Sequence, residues 1–215
     1  MDDLRAIVLT DGDPVAPPIP LPSDAMVIAA DGGLRLSSIL GLRVDVVVGD
    51  MDSVSPADLA AAEQAGARIE RHPIDKDATD LELALDAAIT GGAIEITVVG
   101  GAGGRLDHLL ANAQLLAGDR YAAIQLRWWT GAEIVVVCDH MRPAVIKGTP
   151  GELVSLVPVG GSAGGVVTTG LRWGLEGEDL GFGSTRGVSN ELSDDRATVS
   201  LTEGRLLVIQ ERATP

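Results

Sequence analysis

In the first half of the chain, apolar runs of four or five residues recur, and each stops at a polar or glycine-rich stretch. Residues 6–9 run into Asp11-Gly12-Asp13-Pro14, residues 26–29 into Asp31-Gly32-Gly33, and residues 44–48 into Gly49-Asp50-Met51-Asp52-Ser53. The charged stretch Arg68-Ile69-Glu70-Arg71 ends in the same way at Lys76-Asp77-Ala78-Thr79-Asp80, and the apolar residues 96–99 run into Gly100-Gly101-Ala102-Gly103-Gly104-Arg105-Leu106-Asp107-His108. Short continuous apolar runs bounded by turn signals read as strands buried on both faces. Helical stretches lie between them. Residues 34–40 are amphipathic and end at Gly41, the residue that most often closes a helix. Ser55-Pro56-Ala57-Asp58 supplies an N-cap, a proline at the first helical position and an acid in the first turn, so an alanine-rich helix is expected up to Gly66. Thr79-Asp80-Leu81-Glu82 has the capping-box spacing, predicting a helix to about Ile89 that stops at Gly91-Gly92. A last helix is expected from Leu106 to Ala117 before Gly118. Alternating strand and helix predicts an α/β domain with a mostly parallel sheet. The acidic and glycine-rich loops then share its carboxyl edge, where open α/β sheets bind ligands.

No helical period continues past residue 118. The runs 123–128, 133–138, 153–157, 166–169, 197–201 and 206–209 are short, β-rich and separated by turns, and Thr202-Glu203-Gly204 reads as a hairpin turn. An all-β, antiparallel sandwich-like C-terminal domain follows. The organisation expected is an α/β domain over 1–130 and a β-sandwich domain over 131–215. Trp128 and Trp129 are adjacent in one alternating strand and are assigned to core packing.

Charge narrows the ligands. A formal net charge of −15 argues against nucleic acid and against an anionic membrane, both of which need clustered Lys and Arg. A polyphosphate would require a metal bridge or local basic residues. The single cysteine, Cys138, lies in the run Glu133-Ile134-Val135-Val136-Val137-Cys138 and reads as a small buried hydrophobe. No apolar stretch approaches the ~20 residues of a membrane helix, so a soluble, cytoplasmic protein is expected.

Asp50 and Asp52 are hard oxygen ligands at the end of a strand. Such a pair suits Mg²⁺, which is held by one or two carboxylates plus substrate phosphates. Asp31 and Asp80 fall on the same edge, and four carboxylates so placed repel unless a cation joins them. The loop 100–105 follows a strand and opens a helix, so its backbone can approach a phosphate closely, with Arg105 adding a planar fork. Its spacing is neither the Walker pattern nor the dinucleotide fingerprint. Asp107 faces the same crevice from the first helical turn. His108, Asp11 and Asp13 read as solvated positions. An Asp-x-Asp also occurs in sugar-nucleotide transferases.

Taken in order, Asp31-Gly32-Gly33, Gly49-Asp50-Met51-Asp52-Ser53, Lys76-Asp77-Ala78-Thr79-Asp80-Leu81-Glu82 and Gly103-Gly104-Arg105-Leu106-Asp107-His108 resemble the motif set of the thiamine pyrophosphokinase family. Gly170-Leu171-Arg172-Trp173 and Gly187-Val188-Ser189-Asn190 resemble that family's thiamine-binding β-domain. The resemblance implies transfer of a diphosphoryl group from ATP to the hydroxyl of thiamine, giving thiamine diphosphate and AMP, in a homodimer whose sites lie between subunits. It implies Asp50, Asp52 and Asp80 around Mg²⁺ and the phosphates, and Arg105 and Asp107 beside them as catalytic groups. Asp31, Gly32, Gly33, Thr79, Gly103, Gly104 and Arg105 are implied on the ATP side, and Trp173, Ser189 and Asn190 on the thiamine side. An aromatic face suits the thiamine cation, while core packing is the other reading of Trp173. Met51 stands where the family commonly has phenylalanine. Residues 14–22 are proline-rich and carry no catalytic motif. A sugar-nucleotide transferase would leave the loops at 76–82 and 100–107 without a role, and a thiamine or nucleotide sensor would not need every metal-side carboxylate.

Overall fold

The structure, a computed structural model, describes residues 4–12 and 20–212. Asp13 and residues 14–19 of the proline-rich loop therefore lie outside the described residues. The chain divides into two compact units, one up to Asn112 with Trp128–Gly131, the other Ala113–Arg127 with Ala132 onward.

The first unit is built on β1 (Arg5–Leu9), β2 (Met26–Ala30), β3 (Val46–Gly49), β4 (Arg68–Arg71) and β5 (Glu95–Val99). Every pairing among them is parallel, and the order is β5-β1-β2-β3-β4. Registers such as Val8↔Ile28 and Val8↔Val98 place β1 at the centre, and Ile7, Val8 and Leu9 are fully buried. The helices are α1 (Leu34–Leu40), α2 (Pro56–Gln64), α3 (Asp80–Thr90) and α4 (Leu106–Leu116). Their ends are those the sequence predicts. Gly41 closes α1 in the left-handed conformation at φ +65°, and the Ser55 side chain accepts from the Asp58 amide at the start of α2. Thr79 accepts from the Glu82 amide at the start of α3. α3 buries Leu81, Ala84, Leu85 and Ala88, the i, i+3, i+4, i+7 stripe that faces a core.

Because β2, β3 and β4 extend to one side of β1 while β5 pairs on the other, the order reverses at β1. That is a topological switch point, where the loops leaving neighbouring strands part and form a crevice. The loops after β1 and β5 are tied there by Thr10 N–H to Val99 O at 2.9 Å and Gly101 N–H to Asp11 O at 2.7 Å. A Cβ on Gly100 would fall 2.2 Å from Thr10 O, so only glycine permits this approach.

After β6 (Gln125–Trp129), the second unit contains β7 (Glu133–Asp139), β8 (Ala144–Lys147), β9 (Leu153–Pro158), β10 (Ala163–Thr169), β11 (Glu176–Leu180), β12 (Asn190–Glu191), β13 (Arg196–Ser200) and β14 (Arg205–Glu211). Within it, the antiparallel orders are β12-β9-β14-β7 and β11-β10-β13-β8. Inward residues of both sheets, among them Cys138, Ile146, Leu156, Val166, Val199 and Leu206, form one buried cluster, as a sandwich requires. Trp128 and Trp129 are both buried, at 3% and 5% exposure.

One turn differs from its expected role. Thr202-Glu203-Gly204 joins β13 to β14, yet these strands belong to different sheets, so it is a corner between sheets and not a hairpin. Its backbone turns to β10 instead: Gly164 N–H donates to Glu203 O at 2.9 Å and Thr202 N–H to Gly164 O at 3.0 Å. A three-residue turn signal specifies a reversal but not the sheet that the next strand joins. Among the described residues, no helix is long and apolar enough to cross a membrane.

Candidate active site

The carboxyl edge of the parallel sheet opens into a cleft of about 820 Å³ lined by Asp31, Gly32, Asp50, Asp52, Thr79, Asp80, Gly103, Gly104 and Arg105. Gly33 and Asp107 flank those residues in sequence but do not line the cleft.

Asp31 follows β2, and Asp50 and Asp52 follow β3. A strand would send Asp50 and Asp52 to the same face but hold them apart. Met51, buried between them, is left-handed at φ +67°, and the Asp52 amide folds back to donate to Asp50 Oδ1 at 3.2 Å. Asp31 is also left-handed, at φ +42°. Non-glycine residues in this region are uncommon and cluster at functional sites. One carboxylate oxygen from each of Asp31, Asp50 and Asp52 lies within 4.8 Å of the others. Asp31 is 7% exposed, and its Oδ1 is buried without a hydrogen-bond partner. Burial pushes its carboxyl above the ordinary range, with Asp80 and Asp50 adding to the effect against the Ser53 hydroxyl and Gly32 amide. An orphaned buried oxygen beside two further carboxylates has the chemistry that suits a hard divalent cation.

Asp80 is absent from that trio. Lys76 Nζ lies 2.9 Å from Asp50 Oδ2 and 2.9 Å from Asp80 Oδ1. The first contact is a hydrogen bond; the second is an ion pair by distance, its direction leaving Asp80 Oδ1 without hydrogen-bond geometry. Lys76 holds the Asp50 carboxyl below its ordinary value. Burial alone would lower the Lys76 ammonium, but its two carboxylate partners raise it. Gly49 is needed here, since a Cβ would fall 3.0 Å from both Asp31 Cβ and Asp80 Oδ1 at φ +147°.

Across the cleft, Asn112 on α4 donates to Gly101 O at 3.0 Å and the Trp128 indole donates to Gly100 O at 2.6 Å. These bonds fix the glycine loop from below. Arg105 grips Asp107 bidentately, Nε to Oδ1 at 3.1 Å and an Nη to Oδ2 at 2.6 Å. The guanidinium beside it holds the Asp107 carboxyl down at about 2. Both side chains are exposed.

In the second unit, Trp173 is 53% exposed, which ends the core reading of this residue. The Arg172 guanidinium lies 4.8 Å from its ring centroid. Asn190 is buried and clamps Trp173, its Oδ1 accepting from the Trp173 amide at 3.1 Å and its Nδ2 donating to the Trp173 carbonyl at 2.7 Å. Ser189 is exposed and left-handed at φ +59°.

Sequence reasoning left Lys76, Arg35, Asn112 and His108 out of the site, although Arg35, Asn112 and His108 line the cleft. Lys76 lies in the loop before α3, four residues ahead of Asp80, and as the basic residue among the carboxylates of Lys76-Asp77-Ala78-Thr79-Asp80 it was the available signal. Arg35 pairs with Asp11 at 3.1 Å, a contact between distant segments that nothing in the sequence marks.

Residues 21–128 match the description "Thiamin pyrophosphokinase, catalytic domain", and residues 144–206 match "Thiamin pyrophosphokinase, vitamin B1 binding domain". A thiamine pyrophosphokinase of Bacillus subtilis is 30% identical over 162 residues, covering 75% of this chain and 76% of that protein. Thiamine pyrophosphokinase 1 of Oryza sativa is 29% identical, covering 77% of this chain and 65% of its own length. A crystal structure of thiamine pyrophosphokinase from Bacillus subtilis superposes with a TM-score of 0.83 at 25% identity, covering 98% of this chain and 100% of that one. Thiamin pyrophosphokinase from Candida albicans shares the fold with a TM-score of 0.76 at 14% identity, covering 97% and 90% of the two chains. With both domain descriptions matched in order and a relative at this identity, the chain belongs to the thiamine pyrophosphokinase family.

Proposed function

We propose that the chain transfers a diphosphoryl group from ATP to the hydroxyl of thiamine, releasing AMP and thiamine diphosphate. Membership of the family supports this reading. The observation that carries it in the molecule is the convergence of Asp31, Asp50 and Asp52 opposite a glycine loop and Arg105 in one cleft at the sheet's switch point. A sugar-nucleotide transferase and a sensor without turnover are not favoured.

Mg²⁺ fits the residues present, with Asp50, Asp52 and Asp31 as its ligands and Asp80 close by. When bound, it would neutralise phosphate charge and help orient the diphosphoryl group. The chain's own groups supply the remainder. The backbone amides of the loop at Gly103 and Gly104, which line the cleft, are suited to phosphate oxygens. Arg105 gives Nε and one Nη to the Asp107 carboxylate, which fixes the guanidinium's orientation and leaves its remaining Nη donors for phosphate. Thr79 caps α3 and so fixes the junction between the Lys76 loop and Asp80 at the start of the helix. On the thiamine side we assign Trp173, Ser189 and Asn190, with Asn190 setting the position of Trp173 through its backbone. We further propose a homodimer with active sites shared between subunits.

Purified protein with ATP, Mg²⁺ and thiamine tests the reading directly. AMP and thiamine diphosphate should appear in equal amounts. Release of ADP, or binding without turnover, would overturn it.

A further inference from the structure

We propose that Lys76 is an internal competitor for the divalent cation, setting the affinity of the cleft by holding Asp50 and Asp80 with its own ammonium. The inference rests on the metal reading of Asp31, Asp50 and Asp52. Asp50 spends both oxygens inside the chain: Oδ2 on Lys76 Nζ at 2.9 Å and Oδ1 on the Asp52 amide at 3.2 Å. A cation that takes Asp50 must share or displace one of these partners. The ammonium is the partner of like charge. It is well enclosed, at 13% exposure against 11% for Asp50 and 29% for Asp80, so solvent screens it weakly. Asp80, the first residue of α3, is kept out of the carboxylate trio by the same contact with the loop residue Lys76.

Two effects of opposite sign follow from removing this charge. The carboxylates lose their counter-ion, so the protein without a divalent cation becomes less stable. The same carboxylates lose a competitor, so a divalent cation binds more tightly. A merely structural lysine would weaken both when replaced. Lys76 is thus a positioning residue whose signature is tighter binding on a weaker scaffold.

The test uses Mn²⁺, whose free form is counted by electron paramagnetic resonance, on the full chain without nucleotide. Lys76→Gln should bind Mn²⁺ on the order of tenfold more tightly than wild type, from the loss of one nearby unit charge. Its melting midpoint in EDTA should fall by about 5 °C and recover with Mn²⁺. Lys76→Arg should keep near wild-type affinity. If Lys76→Gln is too unstable to purify, Lys76→Gln combined with Asp80→Asn restores the charge balance and should recover both stability and wild-type affinity. Equal or weaker Mn²⁺ binding by Lys76→Gln, or no recovery in the double variant, would overturn the inference while the metal site stands. Failure of wild type to bind Mn²⁺ any better than Asp50→Asn would instead remove the metal site itself, and the inference with it.

Discussion

At the residue scale, the cleft separates groups that act from groups that hold the fold. Asp52 is exposed and Asp50 is held by polar contacts, Lys76 and the Asp52 amide among them, so neither carries core packing. Asp50→Asn and Asp52→Asn should each lower turnover by roughly 10²-fold or more, with melting midpoints in EDTA shifted by no more than about 3 °C. Steady-state kinetics and thermal melts check this; near-normal rates in both variants would remove the assigned site. Arg105→Lys keeps charge but loses the fork, so its KM for ATP should rise, and Arg105→Ala should be worse, both without a stability change. A lysine variant equal to wild type would reduce Arg105 to a surface charge. Elsewhere, Asp139 and Arg142 form a stability device. Burial raises the Asp139 carboxyl, but the Arg142 guanidinium at 2.6 Å and the Met141 and Arg142 amides outweigh it and leave the value lowered. A lowered carboxylate stabilises the fold above its unfolded value of roughly 3.9 and stops doing so as pH falls through the folded value. Asp139→Asn should therefore cost about 2 kcal/mol at pH 7, and the difference from wild type should shrink below about pH 4 in urea titrations. A cost independent of pH would show that charge is not what holds this corner.

Local chemistry decided which elements could be read ahead of the structure. α1, α2 and α3 were legible because each carries its own stop or cap, Gly41, Ser55 and Thr79, and those signals act within four residues. β8, β11 and β12 were not. β11 is Glu-Gly-Glu-Asp-Leu, an edge strand with almost no apolar pattern, and β12 is only two residues long. Such strands exist through pairing with distant partners, Ala163↔Leu180 and Asn190↔Val154, which no local window contains. Glycine positions carry the same lesson. Gly33 falls in an ordinary helical region, yet a Cβ there would lie 2.2 Å from Leu9 O. Gly33→Ala should destabilise by roughly 1–3 kcal/mol from this overlap, whereas an alanine at Gly174, where a Cβ meets nothing within 4 Å, should be nearly neutral. Equal melting midpoints for the two would show that the backbone at Leu9 yields freely.

For the whole molecule, the change from alternating strand and helix to strands alone announced two architectures, because period and composition both shift near residue 118. The strand order β5-β1-β2-β3-β4 was not legible, since pairing of separated strands leaves no mark in either sequence. Nor did sequence spacing give Asp31, and not Asp80, to the carboxylate trio; that choice is made by Lys76. The shared-site proposal is tested at this scale. Asp52→Asn and Asn190→Ala proteins, each inactive alone, should on mixing regain about a quarter of wild-type activity, because half the dimers are mixed and each of those has one intact site. No recovery despite proven subunit exchange would place the site within one chain. Finally, the sole thiol has an experimental use. Cys138 is fully enclosed in the sandwich, and burial pushes its thiol up to about 11. An alkylating reagent can reach it only when that unit opens. Labelling rates under native conditions therefore time the breathing of the thiamine-side unit alone, a clock written into the chain that should slow if thiamine binds there.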